Sequence, residues 1–247
     1  MANIWNTLSR KSTPVLRWIR SHKVWSAVIL LASWIILELV TLPFGNVNSL
    51  KSSTPNETAF MRMHAERAAE EGKPLKKIQR WVPLGRISRD AVNAVIVAED
   101  GTFWSHAGFD WFEFKESLER NVTEGRAARG ASTITQQLVK NLYLSPSKNP
   151  LRKLKEWILT WWMERTLSKQ RILELYLNLI EWGRGIYGIE AASQTYFGKS
   201  ASALSREEAA RLAAVIPNPR IFRVERPTRY LERRTQLILN RMAARGF

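Results

Sequence analysis

No cysteine occurs in the 247 residues, which excludes disulfides and thiolate chemistry and leaves every redox compartment open. Acidic residues are the second shortage, 22 against 38 Lys and Arg, for a net charge of +16. A surplus of that size implies anionic partners: nucleic acid, lipid headgroups or phosphorylated substrates. Acids are missing altogether from residues 1–23, which carry Arg10, Lys11, Arg17, Arg20 and Lys23. Internal repeats and low-complexity blocks are absent. Segments that alternate apolar and polar residues are scarce, which argues against a sheet-based fold.

What is present begins with Val24 to Phe44, VWSAVILLASWIILELVTLPF. That is about 20 predominantly apolar residues, enough to cross a bilayer as a helix. Its one charge, Glu38, lies near the far end. A cleaved signal peptide is the competing reading, but the apolar core is long for one and lacks a clear small-residue cleavage pattern. The basic flank places residues 1–23 in the cytoplasm and everything after Phe44 outside. The sequence thus divides into a basic tail (1–23), a transmembrane helix (24–44), a tether with the start of a domain (45–74) and the main domain (75–247). With 45% hydrophobic residues, that domain has material for a core.

The domain reads as a string of helices. Phe60 to Glu71 is short and stopped by Gly72 and Pro74; Lys76 to Pro83 is a strand or an extended connector. Ser88 is a candidate N-cap, with Ile87 and Val92 placed as a staple. Asp110 and Glu113 have capping-box spacing, Thr133 to Leu144 is helical in period, and Asn149-Pro150 opens a further helix. Ser168 caps KQRILELYLNLI, Gly183, Gly185 and Gly188 make a loop, and Ser205 with Glu208 caps AARLAAVI before Pro217-Asn218-Pro219. The predicted class is mainly α.

The chemistry concentrates at Asp90 to Gly108, DAVNAVIVAEDGTFWSHAG. Val92, Val95 and Ile96 share the face of Glu99 at helical spacing. If that face is buried, Glu99 projects into an apolar surrounding, where desolvation raises a carboxyl pKa toward that of a general base. An ordinary ion pair at a helix end explains the same pattern. Further on, GASTITQQ at Gly130–Gln137 crowds hydroxyls and amides behind a glycine, as a sugar- or phosphate-binding loop does and as a capped helix start does. Arg152, Lys153 and Glu156 meet on one side of a helix at i,i+3 and i,i+4 spacing, which also suits a solvated salt bridge.

Taken together, these segments resemble the peptidoglycan glycosyltransferases of family 51. EDGTFWSHAG at Glu99–Gly108 is similar to E-D-x-x-F-x-x-H-x-G, and GASTITQQ to G-x-S-T-I-T-Q-Q. RKLKE at Arg152–Glu156 resembles R-K-x-x-E, and ILELYLN at Ile172–Asn178 resembles I-L-E-x-Y-L-N. GIYGIEAASQTYFGK and LSREEAARLAAVIPNP extend the likeness, which runs from Leu75 to Pro227. In class A penicillin-binding proteins a transpeptidase domain follows this module. Here the chain ends at Phe247, so the monofunctional biosynthetic branch is expected.

The resemblance implies a lysozyme-like lobe with a smaller membrane-associated lobe. It implies polymerisation of lipid II, with Glu99 as general base for the acceptor hydroxyl and Glu156 as a second catalytic carboxylate. Lys140, Arg152 and Lys153 would hold the departing pyrophosphate, with Glu156 staying ionised among them and a candidate ligand for Mg²⁺. Ser132, Thr133, Gln136 and Gln137 would line the sugar and phosphate path, and Asp100, Phe103, His106 and Asn178 would support it. No organic cofactor is implied.

Expected partners are lipid II, the lipid-linked chain, the membrane and other cell-wall synthesis or division proteins, at the outer side of a bacterial inner membrane. A lysozyme-like hydrolase needs no phosphate cluster, a scaffold leaves Glu99 without purpose, and nucleic acid lies on the wrong side of the membrane. Among Phe103, Trp104, Phe109, Trp111, Phe112 and Phe114, Phe103 is expected inside. The others suit either the core or a membrane contact beside Lys115 and Arg120.

Overall fold

The computed structural model describes residues 18, 19, 21–124, 132–144 and 151–247, with the side chains of 118 and 120–124 excepted. The chain forms two units, one ending at Leu42 and one running from Pro43 to Phe247.

In the first unit, α1 (Lys23–Val40) has 18 residues, about 27 Å at 1.5 Å per residue and close to the hydrocarbon thickness of a bilayer. Val24, Trp25, Leu30, Leu37 and Val40 are exposed, and Ser26 is the buried side chain. An apolar helix with its side chains turned outward is built for lipid. The helix stops earlier than the expected Phe44, because Pro43 disfavours helical backbone at Leu42.

Phe44 instead opens α2 (Phe44–Ser49) in the second unit. The expected tether is therefore part of the domain. Val47 and Leu50 are buried, and Phe44 meets Trp162 edge-on at 5.4 Å. Arg171 donates to the carbonyls of Leu50 at 2.8 Å and Ser53 at 2.6 Å.

Helices α3 (Ala59–Glu70), α4 (Arg89–Glu99), α5 (Trp111–Glu124), α6 (Ile134–Tyr143), α7 (Arg152–Thr166) and α8 (Lys169–Leu179) follow. Then come α9 (Ile189–Phe197), α10 (Arg206–Val215) and α11 (Arg229–Ala244). Most start where a short polar side chain can take an orphan amide. Ser88 accepts from Ala91 N at 3.1 Å, Asp110 from Glu113 N at 2.9 Å and Ser168 from Arg171 N at 3.2 Å. Thr133–Gln136 and Ser205–Glu208 are complete capping boxes. The Asn149-Pro150 start lies outside the described residues.

Helix α4 packs against α10 and α11, and α6 packs against α7 and α8. Small residues are buried on both helices of the α4–α10 pair: Ala94 on one, and Ala210, Ala213 and Ala214 on the other, are fully buried. Larger side chains there would overpack the contact, at about 1–3 kcal/mol each.

The glycine-rich stretch differs from the expected loop. It forms β2 (Glu181–Gly183) and β3 (Ile186–Tyr187), joined by β1 (Ile78–Gln79) in the order β1-β3-β2. Ile78 pairs in parallel with Ile186, and Glu181 pairs antiparallel with Tyr187. Gly188 then turns into α9 at φ +85, and a Cβ there would stand 2.8 Å from the Asn178 carbonyl oxygen. Only glycine suits that position.

Candidate active site

The site is built from the end of α4. The Asp100 carboxylate, 6% exposed, accepts from Ile134 N at 2.9 Å and from His106 Nε2 at 2.8 Å. His106 Nδ1 accepts from Gly108 N at 3.1 Å, which places its proton on Nε2. Thr133 Oγ1 donates to the Gly108 carbonyl at 2.8 Å. These bonds stitch the loop after α4 to the start of α6. Gly108, at φ +88, lies so close that a Cβ would be 2.8 Å from the Thr160 and Glu164 side chains. Phe103 is fully buried beneath the Lys169 ammonium, 4.4 Å from the ring centroid. Asp100, His106 and Asp110 place ligand atoms within 4.8 Å of one another. The first two are already committed to each other and to backbone amides.

With the loop pinned, Glu99 faces a cleft of about 590 Å³ that Ser132, Gln137, Lys140, Asn141 and Tyr176 also line. The expectation of an apolar surrounding is corrected here. Arg234 Nη2 donates to Glu99 Oε1 at 2.9 Å and Gln137 Nε2 donates to Oε2 at 3.0 Å. The glutamate and arginine side chains are 10% and 12% exposed. The apolar face of α4 lies behind the carboxylate, whereas its oxygens are met by charge and amide. An opposite charge favours an ionised carboxylate, the form that accepts a proton. Tyr176 fixes the Gln137 amide by donating to Oε1 at 2.8 Å. Burial, with Glu99 and Asp100 nearby, pushes the Tyr176 hydroxyl far above its ordinary range, so it remains a donor.

Lys140 lines the cleft beside them. Burial pulls its ammonium below the usual lysine range, Glu156 opposes that, and Lys153 and Arg152 push it further down. These residues of α6 and α7 therefore share one electrostatic neighbourhood, which also includes Glu99. Glu156 is 4% exposed and takes a hydrogen bond from Lys153 Nζ at 2.5 Å.

Two residues expected to line the path do other work, and Asn178 supports the frame as expected of it. Thr133 and Gln136 are buried in their own capping box and hold the start of α6 instead of lining the cleft. Asn178, fully buried, exchanges hydrogen bonds of 2.8 and 2.9 Å with the Val82 backbone and fixes the chain after β1. Gly130 and Ala131 lie outside the described residues.

Sequence reasoning missed Arg234, Tyr176 and Asn141. The available signal for Arg234 was the period of Leu231, Ile238 and Met242, which places an arginine on the inner face of a helix.

The transglycosylase family model matches residues 67–243. The chain is 44% identical over 211 residues to a biosynthetic peptidoglycan transglycosylase of Nitrosospira multiformis, covering 85% of this chain and 88% of that protein. It is 48% identical over 190 residues to one of Thiobacillus denitrificans, covering 77% and 82%. With one of Laribacter hongkongensis it shares 41% over 228 residues, covering 92% and 97%.

Proposed function

This chain belongs to the transglycosylase family, and on that premise we propose how its cleft joins lipid II into glycan strands and releases undecaprenyl pyrophosphate. Two groups are needed, a base for the acceptor hydroxyl and a counter-charge for the leaving pyrophosphate. Glu99 is the base. The carboxylate is held from two sides by Arg234 and Gln137 and open to the cleft. A base fixed in this way loses little freedom when the hydroxyl arrives. Arg234 and Gln137 also stabilise it between turnovers.

Lys140, with Arg152 and Lys153 on the first turn of α7, provides the counter-charge. Cations beside a helix N-terminus suit the charge that grows on phosphate oxygens. Glu156 orients Lys153 and balances Lys140. The residues around Glu156 do not suit a protein-held divalent cation. Mg²⁺ demands a near-octahedral oxygen set, and here one carboxylate is already clasped by Lys153. Ser132 and Gln137 line the path between base and cations.

The enzyme works at a membrane surface. Helix α1 is its anchor, with the basic residues before it in the cytoplasm and the catalytic unit on the outer side of the inner membrane. Trp104, Trp111, Phe112 and Phe114 are 51, 63, 76 and 45% exposed. Phe109 meets Trp157 edge-on at 6.3 Å and so joins this segment to the outer face of α7, where Trp157 and Trp161 are exposed. A contiguous apolar face of that kind marks a contact surface, and the polyprenyl tails of donor and acceptor place it against lipid.

The observation that carries the reading is the Glu99 carboxylate held in one cleft with Lys140. Glu99→Gln keeps shape and hydrogen bonding and removes basicity. Polymerisation of purified lipid II should fall by about 10²–10⁴-fold. A folded Glu99→Gln protein that still polymerises would falsify the assignment.

A further inference from the structure

The cleft has a second polar cluster that the reaction above leaves unused. His64 on α3, Glu181 on β2, Tyr187 on β3 and Arg220 all line it. His64 Nδ1 lies 3.1 Å from Glu181 Oε2, with the two side chains 12% and 7% exposed. The other carboxylate oxygen accepts from Gly185 N at 2.9 Å and lies 3.9 Å from Arg220 Nε. Glu181 is thus held by the β2–β3 turn and in turn orients the imidazole. With its proton on Nδ1 toward Glu181, a neutral His64 keeps Nε2 as an acceptor. Nε2 makes no hydrogen bond among the described residues.

The charge balance differs between the two clusters. Around Lys140, three cations, Lys140, Arg152 and Lys153, face Glu156. Around His64, Arg220 is matched by Glu181. Among the described residues, this second cluster has no spare cation for a phosphate. It offers a hydrogen-bond acceptor and aromatic surfaces instead. Phe60 stands edge-on to His64 at 5.8 Å, and Tyr230, 54% exposed, stacks on Phe222 at 5.1 Å. Acceptors for hydroxyl and amide groups beside ring faces are the chemistry that recognises an uncharged saccharide, which has hydroxyls, N-acetyl groups and apolar ring faces.

We propose that His64, oriented by Glu181, holds the sugars of the growing strand that do not react, with Tyr230 and Phe60 as their platforms. This rests on the reading of the cleft as the polymerisation site. His64 is then a binding residue and Glu181 a positioning residue, and together they keep the product strand in register after each transfer.

The test titrates the full chain in detergent with a lipid-free GlcNAc–MurNAc tetrasaccharide and, separately, with inorganic pyrophosphate. Loss of one hydrogen bond should weaken tetrasaccharide binding about tenfold in His64→Ala. His64→Gln, which restores an amide acceptor, should recover part of it. Glu181→Gln should weaken it less than His64→Ala, because that substitution disturbs the imidazole without removing it. Pyrophosphate, which reads the Lys140 cluster, should bind each variant within about twofold of wild type, since the two clusters share no partner. Unchanged tetrasaccharide affinity in His64→Ala, or no binding by the wild-type chain, overturns the proposal. So does a parallel loss of both probes in His64→Ala and His64→Gln, which makes His64 a support of the fold. Lipid II coupling by wild type and its loss in Glu99→Gln decide the underlying reading independently.

Discussion

Arg234→Met is the sharpest test of how the base is held. It removes the guanidinium 2.9 Å from Glu99 Oε1 and keeps an apolar stem of similar reach. The hydrogen bond from Gln137 at 3.0 Å remains in place. A charged hydrogen bond contributes about 1.5–3 kcal/mol, so loss of orientation alone should slow lipid II polymerisation by roughly 10- to 150-fold. Folding also suffers, because a carboxylate that is 10% exposed loses the guanidinium paired with it. The full cost of breaking a buried pair is about 3–5 kcal/mol, and the remaining exposure and Gln137 bring it to the lower end. Arg234→Lys should restore only part of the rate, since an ammonium lacks the planar fork.

The assay is continuous polymerisation of labelled lipid II by the full chain, with thermal melting in parallel. The decisive measurement is the double variant. If Arg234 acts through Glu99, Arg234→Met in a Glu99→Gln background should cost almost nothing further. A full-rate Arg234→Met enzyme, or independent costs in the double variant, would refute the reasoning.

Lys140→Met should abolish pyrophosphate binding while leaving the melting temperature equal or higher. The lysine binds its proton less tightly folded than unfolded, so its charge costs stability at neutral pH, and stability rises as pH climbs toward the ordinary lysine value; a lower melting temperature would contradict this. Arg152→Ala should weaken transfer and pyrophosphate binding together, and unchanged binding in a titration would make the cluster structural. Gly108→Ala should unfold the loop after α4, because its Cβ would stand 2.8 Å from Thr160 and Glu164; wild-type melting would show that those side chains yield. A chain starting at Pro43, which keeps α2 whole, should still bind vesicles of anionic lipid at low salt. Trp111→Ala with Phe112→Ala should release it, and sedimentation with the vesicles reads both outcomes.

The sequence by itself determined the helices that begin with a cap, because a cap acts within one turn. Ser88, Ser168 and the Ser205–Glu208 pair each reach an amide three residues on. It also determined the apolar helix and, through the motifs Glu99–Gly108, Gly130–Gln137 and Arg152–Glu156, the chemistry to expect. Tertiary structure decided everything that depends on which distant group arrives. Arg234 reaches Glu99 from 135 positions away and Asp100 takes the Ile134 amide across 34, and neither partner is implied by its own neighbours. By pattern alone Thr133 and Gln136 favour a helix cap while still allowing a binding loop, and the reciprocal hydrogen bonds at the start of α6 settle on the cap. The β2–β3 hairpin was illegible because strands of three and two residues carry no period and draw their stability from β1. The segment after α1 is polar enough to pass for a tether. It is held in the domain by Trp162 and Arg171, residues more than a hundred positions later.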